Sequence, residues 1–165
     1  MGIVTKNATK IPGKTGVSPE GRLAEVQASL TRLQDDLAGL IRTIPLLLAV
    51  LDEEDRVVEW NRSCREHLGV GGDQLWGKCL HDQDLPWDRD AVARACAACR
   101  QDGRSVALER LEFSRIDGRK GHLKLGVHPM AGGEGEGRSL LLLGEDITEY
   151  ITLQSQLSHA LKMEA

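Results

Sequence analysis

Cys96-Ala97-Ala98-Cys99 is the first pattern in this sequence that could do chemistry. A spacing of three on a helix puts both sulfurs on one face, where they could ligate a metal ion or an iron–sulfur cluster, with Cys64, Cys79 or His81 completing the set. The same pair could serve as a redox-sensing thiol couple. The plainer reading is that both cysteines fill a helix stripe already populated by Val92 and Ala95, since a free cysteine behaves as a small buried hydrophobe. Paired structural ligands usually sit in tight loops, which favours the plainer reading. Covalent c-type haem is excluded, because Arg100 and not a histidine follows Cys99. His81 has the side chain of a haem ligand, against the alternative of a surface or capping imidazole. No cofactor is favoured; haem and a metal or iron–sulfur centre stay open.

Catalytic signatures are missing from the sequence. It holds no Gly-x-Ser-x-Gly elbow, no His-Glu-x-x-His pair and no glycine-rich phosphate loop ahead of a helix. Gly132 to Gly137 is glycine-rich, but Glu134 and Glu136 interrupt it and would repel phosphate, so it reads with Ala131 as a mobile loop. The expectation is a protein that is not an enzyme.

Composition narrows the classes further. The 165 residues are 41% hydrophobic and 28% charged, enough for one core and short for two. Lys and Arg total 21 against 25 Asp and Glu, a formal net charge of −4, which argues against binding nucleic acid through phosphates. Aromatics make up 3%, too few for stacking platforms under bases or a flavin ring. The longest apolar run, Ile44 to Leu51, includes Pro45 and falls well short of the ~20 residues of a membrane span. Residues 1–21 lack the apolar stretch of a secretory signal and read as a flexible leader. A cytoplasmic protein with reduced cysteines is expected.

The elements that position these residues follow from periodicity. Leu23, Val26, Leu30, Leu33, Leu37, Leu40 and Ile44 recur at alternating steps of three and four, a heptad seam suited to a partner helix. Pro45 stops that helix. Leu46 to Leu51 reads as a buried strand, Asp52 to Asp55 as a polar turn and Arg56 to Trp60 as the returning strand. Asn61 caps a short helix, Arg62 to Leu68, closed by Gly69. A further helical region runs from Asp73 to about Asp82, and Pro86 with Asp88 opens a longer helix closed near Gly103. Trp87 would anchor that helix or cover the mouth of a hollow. Ser105 to Ile116, Gly121 to Met130 and Ser139 to Leu143 read as strands. After Gly144 a final helix begins, capped by Asp146 or Thr148, with Ile147, Tyr150, Leu153, Leu157 and Leu161 as its apolar side. This order predicts an α+β fold: a five-stranded antiparallel sheet with short helices on one face.

Residues Leu47 to Thr148 resemble a PAS sensory domain. Ala49-Val50-Leu51-Asp52 and Arg56-Val57-Val58-Glu59-Trp60-Asn61 look like its opening hairpin and capping Asn. Leu68-Gly69, Gly77-Lys78, Asp117-Gly118-Arg119 and Gly144-Glu145-Asp146-Ile147-Thr148-Glu149 match later landmarks, the last looking like the terminal Asp-Ile-Thr motif. The stretch Leu153 to Ala165 is similar to the linker that leads to the phosphoacceptor helix of sensor histidine kinases. His159 lacks the context of a phosphoacceptor, and no ATP-binding region follows.

The resemblance implies a cytoplasmic sensor module of a two-component phosphorelay. It implies N- and C-terminal signalling helices and a kinase core or response-regulator output; the heptad seam adds a homodimer paired along Leu23, Val26, Leu30, Leu33 and Leu37, and the charge balance and short apolar runs leave neither nucleic acid nor membrane as an expected partner. Its segments are a leader (1–21), a coiled-coil-like helix (22–44), the PAS domain (45–148) and a C-terminal signalling helix (149–165). A hollow between sheet and helices would be lined by His81, Trp87, Val92, Cys96, Cys99 and Leu125. Asp146, Ile147 and Thr148 form the signal joint, where the family's Asp commonly contacts a basic residue. A photoreactive flavin site is not expected: Gly77-Lys78-Cys79-Leu80 matches the light-sensing motif poorly, and Gly144 stands where those relatives typically carry glutamine. Two rivals remain: a ligand-free PAS dimerisation adaptor, and a cysteine-based metal or redox sensor.

Overall fold

The computed structural model describes residue 16 and residues 18–131 and 138–164. The leader before these residues and the glycine-rich stretch Gly132–Gly137 lie outside the described residues. The chain divides into two compact units, Met1–Ala38 and Gly39–Ala165.

Helix α1 (Pro19–Thr43) begins three residues ahead of the boundary that the heptad pattern indicated. The reason is local. Ser18 Oγ accepts from Gly21 N at 3.2 Å, and Pro19 occupies the first helical position, where a missing N–H costs nothing. In the first unit, Leu23, Val26, Leu30, Leu33 and Leu37 are all exposed; Leu37, the least so, is 50% exposed.

In the second unit, five strands form one antiparallel sheet in the order β2-β1-β5-β4-β3. They are β1 (Leu47–Leu51), β2 (Val57–Trp60), β3 (Val106–Ser114), β4 (Lys120–Pro129) and β5 (Leu140–Asp146). The alternation of Gly121, Leu123, Leu125 and Val127 puts one face of β4 into the core, as period-two patterning requires. Strand β3 keeps both Leu108 and Leu111 on that face because its register slips between them. Gly121 is small for a reason of space: an added Cβ would lie 2.5 Å from Phe113 Cε1.

Three helices cover the inner face: α2 (Arg62–Leu68), α3 (Gly72–Leu75) and α4 (Arg89–Asp102). Asn61 caps α2, its side chain accepting from Cys64 N, and Gly69 closes it at φ 76°. Asp88 caps α4 through Ala91 N, and Gly103 ends it at φ 65°. The helical region expected from Asp73 to about Asp82 forms as two short pieces. Only α3 and a 3₁₀ turn at Leu80–Asp82 form, because Trp76 and Cys79 between them bridge to Val57 and Arg56.

Strand β5 also departs from expectation. It runs on through Gly144, Glu145 and Asp146, pairing with Leu125, Lys124 and Leu123, and helix α5 (Thr148–Met163) begins two residues beyond. No residue of α5 is buried, and Tyr150, Leu153, Leu157 and Leu161 are exposed.

Candidate functional site

Where β5 becomes α5, a set of side-chain hydrogen bonds and ion pairs ties the helix to the sheet. Asp146 Oδ1 accepts from Thr148 N at 3.0 Å and from the Thr148 hydroxyl. The carboxylate therefore does the work of a cap from one position before Ile147, which itself offers no side-chain cap. Thr148 Oγ1 accepts from His122 N at 3.0 Å, and Ile147 N donates to His122 O at 2.9 Å. Strand β4 thus grips both residues at the head of α5.

The other oxygen of Asp146 faces a guanidinium and an imidazole. Arg115 Nη2 lies 3.2 Å from Oδ2, and His67 Nε2 lies 3.8 Å from it. The Asp146 side chain is only 13% exposed, so its pairing with Arg115 is screened by solvent less than a surface pair. Three distant segments therefore converge on one carboxylate: the end of α2, the turn after β3 and the start of α5. Arg115, His67 and His122 carry no periodic or motif signal in the sequence; only the folded register brings them here.

A second carboxylate cluster fastens α4 to the opening hairpin. Asp55, a non-glycine residue at φ 61°, accepts from Arg100 Nε at 3.0 Å through Oδ1, while its Oδ2 lies 3.2 Å from His81 Nε2. Arg100 also donates to the backbone carbonyls of Asp52 and Arg138. His81 thus faces the hairpin carboxylate.

The remaining sequence-selected residues separate into two groups. Val92, Cys96, Cys99 and Leu125 sit together in the main hydrophobic cluster, each no more than 2% exposed. Trp87 packs on the edge of that cluster, bridges to Phe113 and meets Trp60 edge-on at 6.5 Å. With Leu85, Pro86 and Lys120 it lines an open hollow of about 320 Å³ beside β3.

Among the described residues no three His, Cys, Asp or Glu side chains gather as a metal would require. Burial pushes the Cys64 and Cys96 thiols up to about 12 and raises Cys99 as well, which keeps all three protonated near neutrality. Cys64 Sγ donates to Leu48 O and Cys99 Sγ to Val127 O, as structural thiols do.

A family model described as a PAS fold matches residues 41–151. The chain belongs to the PAS family. Among solved structures it is similar to the PAS domain of a Colwellia psychrerythraea protein, with 16% identity, a TM-score of 0.58, and coverage of 71% of this chain and 98% of that one. It is also similar to the PAS domain of an HTR-like protein from Haloarcula marismortui, with 20% identity, a TM-score of 0.56, and coverage of 75% and 99%. A third likeness is to the Vibrio cholerae VqmA dimer, with 17% identity, a TM-score of 0.58, and coverage of 72% of this chain and 55% of that one. At such identities these likenesses establish the fold. Among curated proteins none matches the sequence. No helix among the described residues is long and apolar enough to cross a membrane.

Proposed function

We propose that this PAS domain is a sensor and signal-transmission module of the two-component kind, with α1 and α5 as its signalling helices. The observation that carries this reading is the fastening of α5 to the sheet through Asp146, Thr148 and His122, while its apolar side, Tyr150, Leu153, Leu157 and Leu161, stays exposed. A helix held at its first turn and free along its length can be re-aimed by a change in the sheet. A ligand, redox change or partner that favours one position of the joint shifts the population of both. The exposed seam of α1 supports a homodimer, the form in which paired helices would carry that shift to a kinase core or response regulator.

One observation favours a second reading. Val92, Cys96, Cys99 and Leu125, expected around a ligand hollow, are packed into the core. An adaptor that dimerises and transmits without a small-molecule ligand needs no more than this. Native mass spectrometry of the purified chain separates the two: a retained small molecule supports the sensor, and a bare chain supports the adaptor. Sedimentation velocity tests the transmission apparatus that both share. The wild type should be a dimer and Leu30→Lys/Leu37→Lys a monomer; a monomeric wild type, or a variant that still dimerises, removes the seam from the account.

A further inference from the structure

His67 is oriented at the joint by a contact that the pairing of Asp146 with Arg115 does not need. Its Nδ1 lies 2.9 Å from the carbonyl oxygen of Ser63. A carbonyl only accepts, so Nδ1 carries the hydrogen, and the neutral ring presents a lone pair at Nε2. That nitrogen lies 3.8 Å from Oδ2 of Asp146. The oxygen is itself buried and has no donor in hydrogen-bond geometry among the described residues, although Arg115 Nη2 approaches to 3.2 Å. A buried carboxylate oxygen with an incomplete donor set and an imidazole nitrogen 3.8 Å from it form an arrangement that one proton would turn into an ion pair.

We propose that His67 is a proton-operated latch on the exit helix. Uptake of one proton at Nε2 from hydronium, which leaves as water, turns a neutral nitrogen beside a carboxylate into an N–H⁺, and no other covalent bond changes. Two cations, Arg115 and protonated His67, then share Oδ2. The hold on Asp146 moves from the turn after β3 toward α2, and because Oδ1 of the same carboxylate caps Thr148, the first turn of α5 moves with it. Imidazole is the side chain whose ordinary charge change falls between about pH 5 and 8, which sets the range of the test. The proposal rests on the reading of Asp146–Thr148 as the signal joint.

Other charges surround the imidazole. From α2 comes Glu66, which is paired with Arg62 at 2.6 Å. From the turn after β3 come Arg115 and Asp117; with His67, Glu66 and Ile116 they line a hollow of about 400 Å³ that gives water a route to the ring. From β5 comes Asp146. On β4, His122 is the other imidazole at this joint, holding Thr148 and Ile147 through its backbone while its own Nδ1 is buried without a partner among the described residues. The test must therefore separate the two histidines.

The amide resonances of Thr148 and Ile151 in the full chain, followed from pH 5 to 8 beside the ring resonances of His67 and His122, provide that separation. The Thr148 amide should show an inflection that shares its midpoint with the His67 ring and not with the His122 ring. It should persist in His122→Gln and vanish in His67→Gln and Asp146→Asn. An inflection that follows His122, survives in His67→Gln or is missing from the wild type overturns the latch. The shared midpoint is read on the wild type alone, so a variant that fails to fold does not rescue the idea. The joint is judged separately. If Asp146→Asn shifts the α5 amides at every pH while the wild type shows no inflection, the joint stands and the latch falls. If Asp146→Asn leaves them unmoved, the joint itself is wrong.

Discussion

Arg115 and Asp146 meet at 3.2 Å although one opens the turn after β3 and the other ends β5. The contact ties the far hairpin of the sheet to the residue that caps the exit helix. Replacing Asp146 by Ala removes the acceptor for Thr148 N and its hydroxyl and strands the Arg115 guanidinium, so stability should fall by about 1–3 kcal/mol. Arg115→Ala should cost about 1 kcal/mol or less, since that side chain is 36% exposed and only the ion pair is lost. Urea denaturation followed by circular dichroism ranks the two. Equal losses would mean that the capping role of Asp146 is negligible.

Asn61 is the second position where one side chain holds several segments. It is 4% exposed; its Oδ1 accepts from Leu48 N and Cys64 N, and its Nδ2 donates to Leu46 O and Ile41 O. Asn61→Ala leaves these backbone groups without their partner in the interior and should cost about 2–4 kcal/mol. Asn61→Asp should be worse, because it turns an oxygen toward two carbonyls. If the aspartate is instead tolerated in urea unfolding at pH 7, the amide is not the donor assigned here.

How much of this was legible beforehand divides along physical lines. The cap at Asn61, the buried stripe of α4 and the alternation of β4 are local patterns, and they appear as expected. Gly144 misled because a glycine that ends an element and a glycine that makes room look alike in sequence. Here an added Cβ would lie 3.2 Å from Leu47 Cβ in the neighbouring strand, so the glycine admits β1 and the strand continues. The turn of helix expected after Leu75 was lost to bridges with β2, which no helical periodicity reports. Asp146 could be singled out by motif, but its partners could not. His67 and Arg115 reach it only through the fold, and polar residues at the edge of an element follow no hydrophobic period.

Arg100 should behave as a clamp on α4. It joins Asp55, the Asp52 carbonyl and the Arg138 carbonyl, with its side chain 21% exposed. Arg100→Gln is expected to lower stability by about 1–3 kcal/mol. Asp55→Asn should cost less than Asp55→Ala, since asparagine tolerates the left-handed backbone at φ 61° and alanine does not. Thermal unfolding orders the three; an alanine variant as stable as the asparagine would show that the backbone there is unstrained.

The cysteines supply a prediction with a definite sign. Burial raises the Cys64 and Cys96 thiols from 9.0 to about 12 in the folded chain, so above pH 9 the unfolded chain gives up these protons first. Proton loss then favours unfolding. The stability these neutral thiols contribute is fully present below pH 9 and declines as pH rises toward about 12, by about 1.4 kcal/mol per pH unit for each. Urea midpoints measured under reductant at pH 8, 9.5 and 10.5 should fall along this slope, and the fall should be shallower in Cys64→Ser/Cys96→Ser. Labelling with a thiol reagent at pH 8 provides an independent check. Cys79, the half-buried one, should react in the native chain, while Cys64, Cys96 and Cys99 should react only once it unfolds. Rapid native labelling of Cys96 or Cys99 would show a thiolate that the packed core cannot stabilise, and would return the paired cysteines to consideration as a redox site.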